Sequence, residues 1–271
     1  MPELPEVETT RQGITPHICG HKVKKVEVRN NRLRWPVTPN LAKILAKQQL
    51  HQIDRRGKYL LLKFDRGALL WHLGMSGSLR IVEGNPAPKP HDHVDLVFDN
   101  DRCLRFHDPR RFGAVLWTED PLEDHTLLSH LGPEPLTCEF NAEYLFKRSR
   151  KIKQAVKTWI MDSKVVVGVG NIYANESLFR AGIHPLKAAG KVSRSQYDIL
   201  AEEVQSVLSH AIERGGTTLK DFVGGDGKPG YFAQELNVYG RGGEPCVTCS
   251  KILLEKRLGQ RTTVYCTHCQ K

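Results

Sequence analysis

The sequence predicts an α+β chain on three observations: strand-like segments crowd residues 52–117, apolar residues recur at helical spacing beyond residue 135, and four cysteines fall within 246–269. The first element is a short helix after Pro5, because proline is tolerated at a helix start and Val7 and Ile14 lie two turns apart on one face. Segments 59–64, 68–73, 78–82, 93–98, 103–106 and 114–117 alternate with period two or form short apolar runs, the pattern of strands. Asp65-Arg66-Gly67 and Asp99-Asn100-Asp101 supply turns between them. Strands in such succession make an antiparallel sandwich or barrel. Gly132-Pro133-Glu134-Pro135 then marks a domain boundary. Beyond it, helices are expected at 153–161, 172–181 and 195–213, the last from the spacing of Leu200, Val204, Val207, Leu208 and Ala211, with Gly215-Gly216 as its stop. The glycine-rich stretch 215–231 is a linker or a mobile functional loop.

The 271 residues include 40 Lys and Arg against 30 Asp and Glu, a formal net charge of +10. With 39% hydrophobic and 26% charged residues, the chain is neither a disordered tail nor a disulfide-dense miniature, and it can bury a core. Its longest apolar run, near 165–169, is far short of the roughly 20 residues a bilayer span needs. Met1-Pro2-Glu3-Leu4-Pro5-Glu6 lacks the basic patch and apolar core of a secretory signal, which predicts a cytoplasmic protein without a membrane partner. A surplus of positive charge attracts polyanions, nucleic acid first among them, although the same surplus is found on plain solvated lysine faces.

Cys246, Cys249, Cys266 and Cys269 read C-x2-C, sixteen residues, C-x2-C, the spacing of a four-thiolate zinc ribbon. Each pair chelates, and two pairs close a tetrahedron; two disulfides or a redox pair fit a reducing compartment poorly. The segment 240–271 is too short to hold itself together by core burial, so zinc folds it. Four thiolates leave no open position for water, which makes the ion structural. Six basic side chains against two acidic ones, net +4, suit it to a polyanion. His268, Cys19, Cys103 and Cys138 stand outside this pattern.

At the other end, removal of Met1 would leave Pro2 as a terminal secondary amine with a pKa of about 7.7–8.0, partly unprotonated at neutral pH and able to form an iminium at an aldehyde-level carbon. Glu3 and Glu6 are candidate acids or bases beside it. By itself this terminus reads as a frayed helix start.

Taken together and in order, 2–9 (Pro-Glu-Leu-Pro-Glu-Val-Glu-Thr), Arg55-Arg56-Gly57-Lys58-Tyr59, His72-Leu73-Gly74-Met75-Ser76-Gly77, His91-Asp92-His93, Asp108-Pro109-Arg110-Arg111-Phe112-Gly113, Gly168-Val169-Gly170-Asn171 and the four-cysteine ribbon resemble bacterial formamidopyrimidine-DNA glycosylases over nearly the whole chain. The resemblance implies an N-terminal antiparallel β-sandwich with flanking helices (1–132), a helical helix-two-turns-helix domain (133–224), and a lesion-loop end with a C-terminal β-hairpin zinc ribbon (225–271). It implies a DNA glycosylase with AP lyase activity, acting as a monomer on damaged double-stranded DNA. Such an enzyme excises oxidised purines through a proline imine and nicks the strand by β,δ-elimination. One structural zinc and no catalytic metal are expected.

The resemblance also assigns residues. Pro2 is the nucleophile, Glu3 the general acid, Lys58 the β-elimination and phosphate residue, and Arg261 the δ-elimination and phosphate residue. Met75, Arg110 and Phe112 form a wedge that replaces the everted nucleotide, a task suited to an adaptable thioether, a fork of donors and a stacking ring, although Met75 and Phe112 alone read as core. His72, His91, Arg110, Lys151, Lys153 and Asn171 contact DNA, Asn171 with backbone amides at a helix start. Thr217, Thr218, Lys220 and Tyr231 belong to the lesion loop. Thr158 before Trp159 departs from the proline common in this family. Two rival readings remain: the sister family of oxidised-pyrimidine glycosylases, whose start and wedge differ, and a zinc-ribbon lesion binder that has lost catalysis.

Overall fold

In a computed structural model, residues 2–84, 86–216 and 235–271 are described. The chain divides into two compact units, Met1–Ser129 with Arg214–Ala233, and His130–Glu213 with Gln234–Lys271. The helical segment and the terminal hairpin therefore belong to one body.

The first unit opens with helix α1 (Leu4–Ile18), 15 residues long and not the short element expected from the sequence. A reciprocal capping box between Glu3 and Glu6 starts it. Pro16 lies inside it, and the helix continues to Ile18 because Leu4, Val7, Ile14 and Ile18 form one buried face. Two antiparallel four-stranded sheets follow. One has the order β1 (Val23–Val28), β6 (Asp92–Phe98), β7 (Arg102–His107), β5 (Ser78–Glu83); the other β2 (Leu50–Arg56), β3 (Tyr59–Phe64), β4 (Ala68–His72), β8 (Ala114–Thr118). Leu60, Leu62, Leu69 and Trp71 from the second sheet pack with Val94, Leu96, Phe98, Leu104 and Phe106 from the first in one core, Trp71 meeting Phe106 edge-on at 5.5 Å. The structure thus makes the sheets a sandwich.

Strand β1 and the short helix α2 (Leu41–Leu45) were not foreseen. Val23-Lys24-Lys25-Val26 is an edge strand with exposed lysines, and it breaks the period-two pattern at a register shift between Val23 and Lys25. Strand β6 is buried along its full length. Its outward Asp95 faces Arg105 across the ladder, receives hydrogen bonds from Arg105 (2.8 Å) and Arg29 (2.6 Å), and has no solvent exposure. Burial pushes this carboxyl up, but the two guanidinium groups win and hold it below its ordinary range.

The second unit holds α3 (Ala142–Ser149), α4 (Val156–Ile160), α5 (Asn171–Arg180), α6 (Arg194–Glu213) and the hairpin β9 (Leu254–Leu258), β10 (Arg261–Tyr265). Helix α3, absent from the sequence reading, is capped by Asn141, whose Oδ1 accepts from Tyr144 N–H at 2.9 Å. Helix α4 is shorter than the expected 153–161 because Ala155 bridges Ala188 and the Val156 amide is taken by Lys187 O at 2.7 Å. Helix α5 is buried from Asn171 to Phe179, the central rod of this unit. Phe179, Val238, Leu253 and Val264 pack with Cys246 and Cys266 in a small core of its own.

Candidate functional site

Pro2 precedes the N-cap of α1 and is buried, as are Glu3 and Glu6. The Glu3 amide donates to Glu6 Oε2 at 2.8 Å, and the Glu6 amide donates back to the Glu3 side chain. Two carboxylates at a helix N-terminus are favoured by the helix dipole. They lie one and four residues after Pro2. Gly216, at φ +81°, lies against Glu6 in the same unit, and a Cβ there would sit 3.3 Å from Oε1.

Lys58 follows Gly57, whose φ of +56° turns the chain from β2 into β3. Ladder register then sets Tyr59 opposite His72, with ring centroids 4.8 Å apart. The Gly74 amide donates to His72 Nδ1 at 2.9 Å, so the neutral ring carries its proton on Nε2. Burial, then the charges of Lys58 and Arg34, pull His72 down to about 4. At neutral pH it is an uncharged N–H donor beside a cation, two groups able to donate to an anionic oxygen.

The wedge candidates come from two loops. Met75, half-buried, lies between β4 and β5; Phe112, 42% exposed, lies between β7 and β8 with Arg110 stacked on its ring at 4.9 Å. One buried carboxylate ties the loops together: Asp108, with no exposure, accepts from Ser76 Oγ and from the Gly113 amide, both at 2.8 Å. Gly74 permits the approach, since a Cβ there would meet the Phe112 carbonyl carbon at 2.4 Å. His91 is exposed at φ +72°, its ring 6.2 Å from His93 and 6.0 Å from His107.

In the second unit, Gly168 (φ +79°) turns the chain into α5, whose N-cap is Gly170. The Asn171 side chain is already engaged: Oδ1 accepts from Lys157 Nζ at 2.7 Å, and Nδ2 donates to Thr262 O at 3.2 Å, leaving one Nδ2 hydrogen to offer. Lys157 is fully buried and also donates to Thr262 O (3.0 Å) and Thr263 Oγ1 (2.8 Å), which fixes β10 against the start of α5. Arg261, exposed, opens β10 immediately after Gly259 and Gln260, both at positive φ, the two-residue turn that matches strand twist. Lys151 and Lys153 are exposed between α3 and α4. Thr217, Thr218, Lys220 and Tyr231 lie outside the described residues.

The sulfurs of Cys246, Cys249, Cys266 and Cys269 lie within 4.8 Å of one another, with pairs at 3.9 Å (Cys246 to Cys269) and 3.4 Å (Cys249 to Cys266). Tetrahedral bonds of about 2.3 Å put sulfurs about 3.8 Å apart, so the set fits a zinc ion. The ion would hold the hairpin and supply no open coordination site.

Sequence reasoning missed Asp108 and Lys157 as organisers. Asp108 and Ser76 each lie in one of the motifs named above, whereas nothing near Lys157 in sequence marks it out from the exposed Lys151 and Lys153.

The family models for the formamidopyrimidine-DNA glycosylase N-terminal domain, its H2TH domain, and the zinc finger found in FPG and IleRS match residues 1–115, 131–223 and 243–271. The chain belongs to the formamidopyrimidine-DNA glycosylase family. It is 67% identical over the full length of both chains to the formamidopyrimidine-DNA glycosylase of Saccharophagus degradans, and 65% identical, again over both full lengths, to that of Teredinibacter turnerae. Among solved structures it is similar to MutM (Fpg) of Thermus thermophilus, with a TM-score of 0.89 at 35% identity over 99% of this chain and 98% of that one. It is also similar to a Lactococcus lactis Fpg mutant in complex with Fapy-dG-containing DNA, with a TM-score of 0.93 at 31% identity over 100% of each chain.

Proposed function

We propose that this protein is a base excision repair enzyme of the family type, which removes oxidised purines from duplex DNA and nicks the strand, with Pro2 as nucleophile. The observation that carries the reading is the buried Pro2-Glu3 pair at the cap of α1: a prospective secondary amine beside a carboxyl group, in a chain of this family. Lactococcus lactis Fpg, a relative of this chain, has been solved with Fapy-dG DNA and with abasic-site DNA, which supports damaged DNA as the partner.

In this reading the Pro2 nitrogen, freed by removal of Met1, attacks the anomeric carbon as the damaged base departs. Glu3 gives a proton to the ring oxygen, the sugar opens, and an iminium links protein and DNA. The iminium then acts as the electron sink for loss of the C2′ proton and the 3′ phosphate, and after it the 5′ phosphate, so one covalent state serves both activities. Lys58 and the neutral His72 hold phosphate in the first unit, while Arg261 and Asn171 do so in the second. Met75, Arg110 and Phe112 fill the space left by the everted nucleotide. The lesion loop and a cytoplasmic location complete the proposal. Among the described residues no helix is long and apolar enough to cross a membrane.

Borohydride trapping on a duplex with 8-oxoguanine opposite cytosine tests it. Mature protein should form a covalent adduct whose peptide map places the DNA on the Pro2 nitrogen; an adduct mapped to a lysine side chain would sink the mechanism. A thymine glycol duplex run in parallel separates the readings of lesion class: preference for it would favour the pyrimidine-acting sister family. That arm matters because the Lactococcus relative has also been solved with an oxidised pyrimidine.

A further inference from the structure

The reaction outlined above leaves unused an open pocket of about 680 Å³ in the first unit. Arg29, Arg32, Arg111, Asn30, Asn31 and Asn40 contribute to its lining, which contains no carboxylate and no aromatic ring. Arg29 is committed to Glu27 and Asp95. Arg32 and Arg111 are exposed, and neither guanidinium has a carboxylate partner among the described residues. Asn30 shapes the loop, its Oδ1 accepting from the Arg32 amide at 2.9 Å, which leaves its NH2 group as a donor.

The backbone at Arg111 is the second observation. Its φ of +56° places a non-glycine residue in the left-handed region, with its N–H donating to Asp108 O at 3.2 Å. Such a conformation persists only where the surroundings over-determine it, and it clusters at working sites. Its effect here is to separate two consecutive arginines: Arg110 stacks on the Phe112 ring, while Arg111 lines the pocket. Two unpaired guanidinium forks and the carboxamide donors in a concave wall recognise a phosphate, and the missing aromatic ring removes the platform a nucleobase would need.

We propose that this pocket is a phosphate-binding site, and that on DNA it holds one backbone phosphate within a few nucleotides of the wedge. The proposal rests on the repair function above and adds a contact that neither Lys58, His72, Asn171 nor Arg261 provides.

The test uses duplexes containing one 8-oxoguanine and a single neutral methylphosphonate, stepped position by position along both strands, bound to the full-length protein and to its Arg32→Ala/Arg111→Ala variant. Wild-type protein should lose roughly tenfold in affinity at one position where the double variant loses none, and the variant's salt slope should fall by about 1. Arg32→Lys/Arg111→Lys should keep the salt slope and show a smaller loss at the same position, because it keeps charge without the fork. Phosphorus NMR of inorganic phosphate is the second arm: broadening by wild type that the double variant lacks, with identical maps for the two proteins, would assign the site to a free phosphate compound. Identical maps without broadening overturn the proposal. Failure of the underlying repair reading is separate, since wild type would then leave every lesion duplex uncut. Melting curves confirm that the variants, altered only at exposed positions, remain folded.

Discussion

Replacing Asp108 with alanine severs the tie between the two wedge loops. The carboxylate accepts hydrogen bonds from Ser76 Oγ and the Gly113 amide, both at 2.8 Å, and has no exposure. Hydrogen bonds to a charged partner contribute about 1.5–3 kcal/mol each, and the alanine would leave the buried Gly113 N–H without an acceptor. Against this, the variant no longer buries a charge, which recovers part of the loss. The balance is a destabilisation of about 3 kcal/mol, or roughly 6–12 °C in Tm for a protein of this size. Asp108→Asn should lose about half as much, since its Oδ1 still accepts from Gly113 and its Nδ2 can donate to Ser76 Oγ. Calorimetry reads the stability. Single-turnover excision of 8-oxoguanine, set against lyase cleavage of a ready-made abasic site, reads the wedge, because only the first requires a base to be everted and replaced. Excision should fall more than lyase cleavage in Asp108→Ala. A Tm within 2 °C of wild type, or equal loss in both activities, would refute the idea that this carboxylate positions the wedge.

His72 gives a pH dependence of stability. Its folded pKa, about 4, lies below the unfolded value near 6.5, so the unfolded chain binds the extra proton between these limits. Stability is therefore fully present above pH 6.5 and declines toward pH 4 by on the order of 3 kcal/mol; denaturant melts across that window should show the decline shrink in His72→Gln. Lys157→Met removes the buried ammonium from Asn171 Oδ1, Thr262 O and Thr263 Oγ1, and should lower Tm by several degrees and weaken DNA binding, measured by melting and fluorescence anisotropy. Elemental analysis should find one zinc per chain, and Cys249→Ser or a strong chelator should cost DNA affinity, since the metal folds the hairpin that presents Arg261.

Much of this architecture was legible because it depends on local pattern. The strands from Tyr59 to Thr118 announce themselves by alternation and turn residues, the long helix by Leu200, Val204 and Leu208, and the metal centre by cysteine spacing. What escaped depends on partners distant in sequence. The reach of the first helix past Pro16 to Ile18 depends on the sheet core that Ile14 and Ile18 cover. Nothing beside Lys157 separates it from exposed Lys151 and Lys153; its burial is decided by Thr262 and Thr263 more than a hundred residues away. Asp108 likewise gains its meaning from Ser76, 32 positions earlier.

The pairing of Asp95 with Arg105 and Arg29 on the outer face of the first sheet also bears on how the molecule behaves in concentrated salt. The Asp95 and Arg105 charges meet out of contact with solvent, where mobile ions screen them weakly, whereas the exposed Arg110, Lys151, Lys153 and Arg261 face water that salt fills readily. Ionic strength therefore acts on one half of the protein's electrostatics and spares the other. A brine strong enough to screen every exposed cation still leaves the buried Asp95-Arg105 pair in force, so surface charge and internal pairing are separately adjustable in a single molecule.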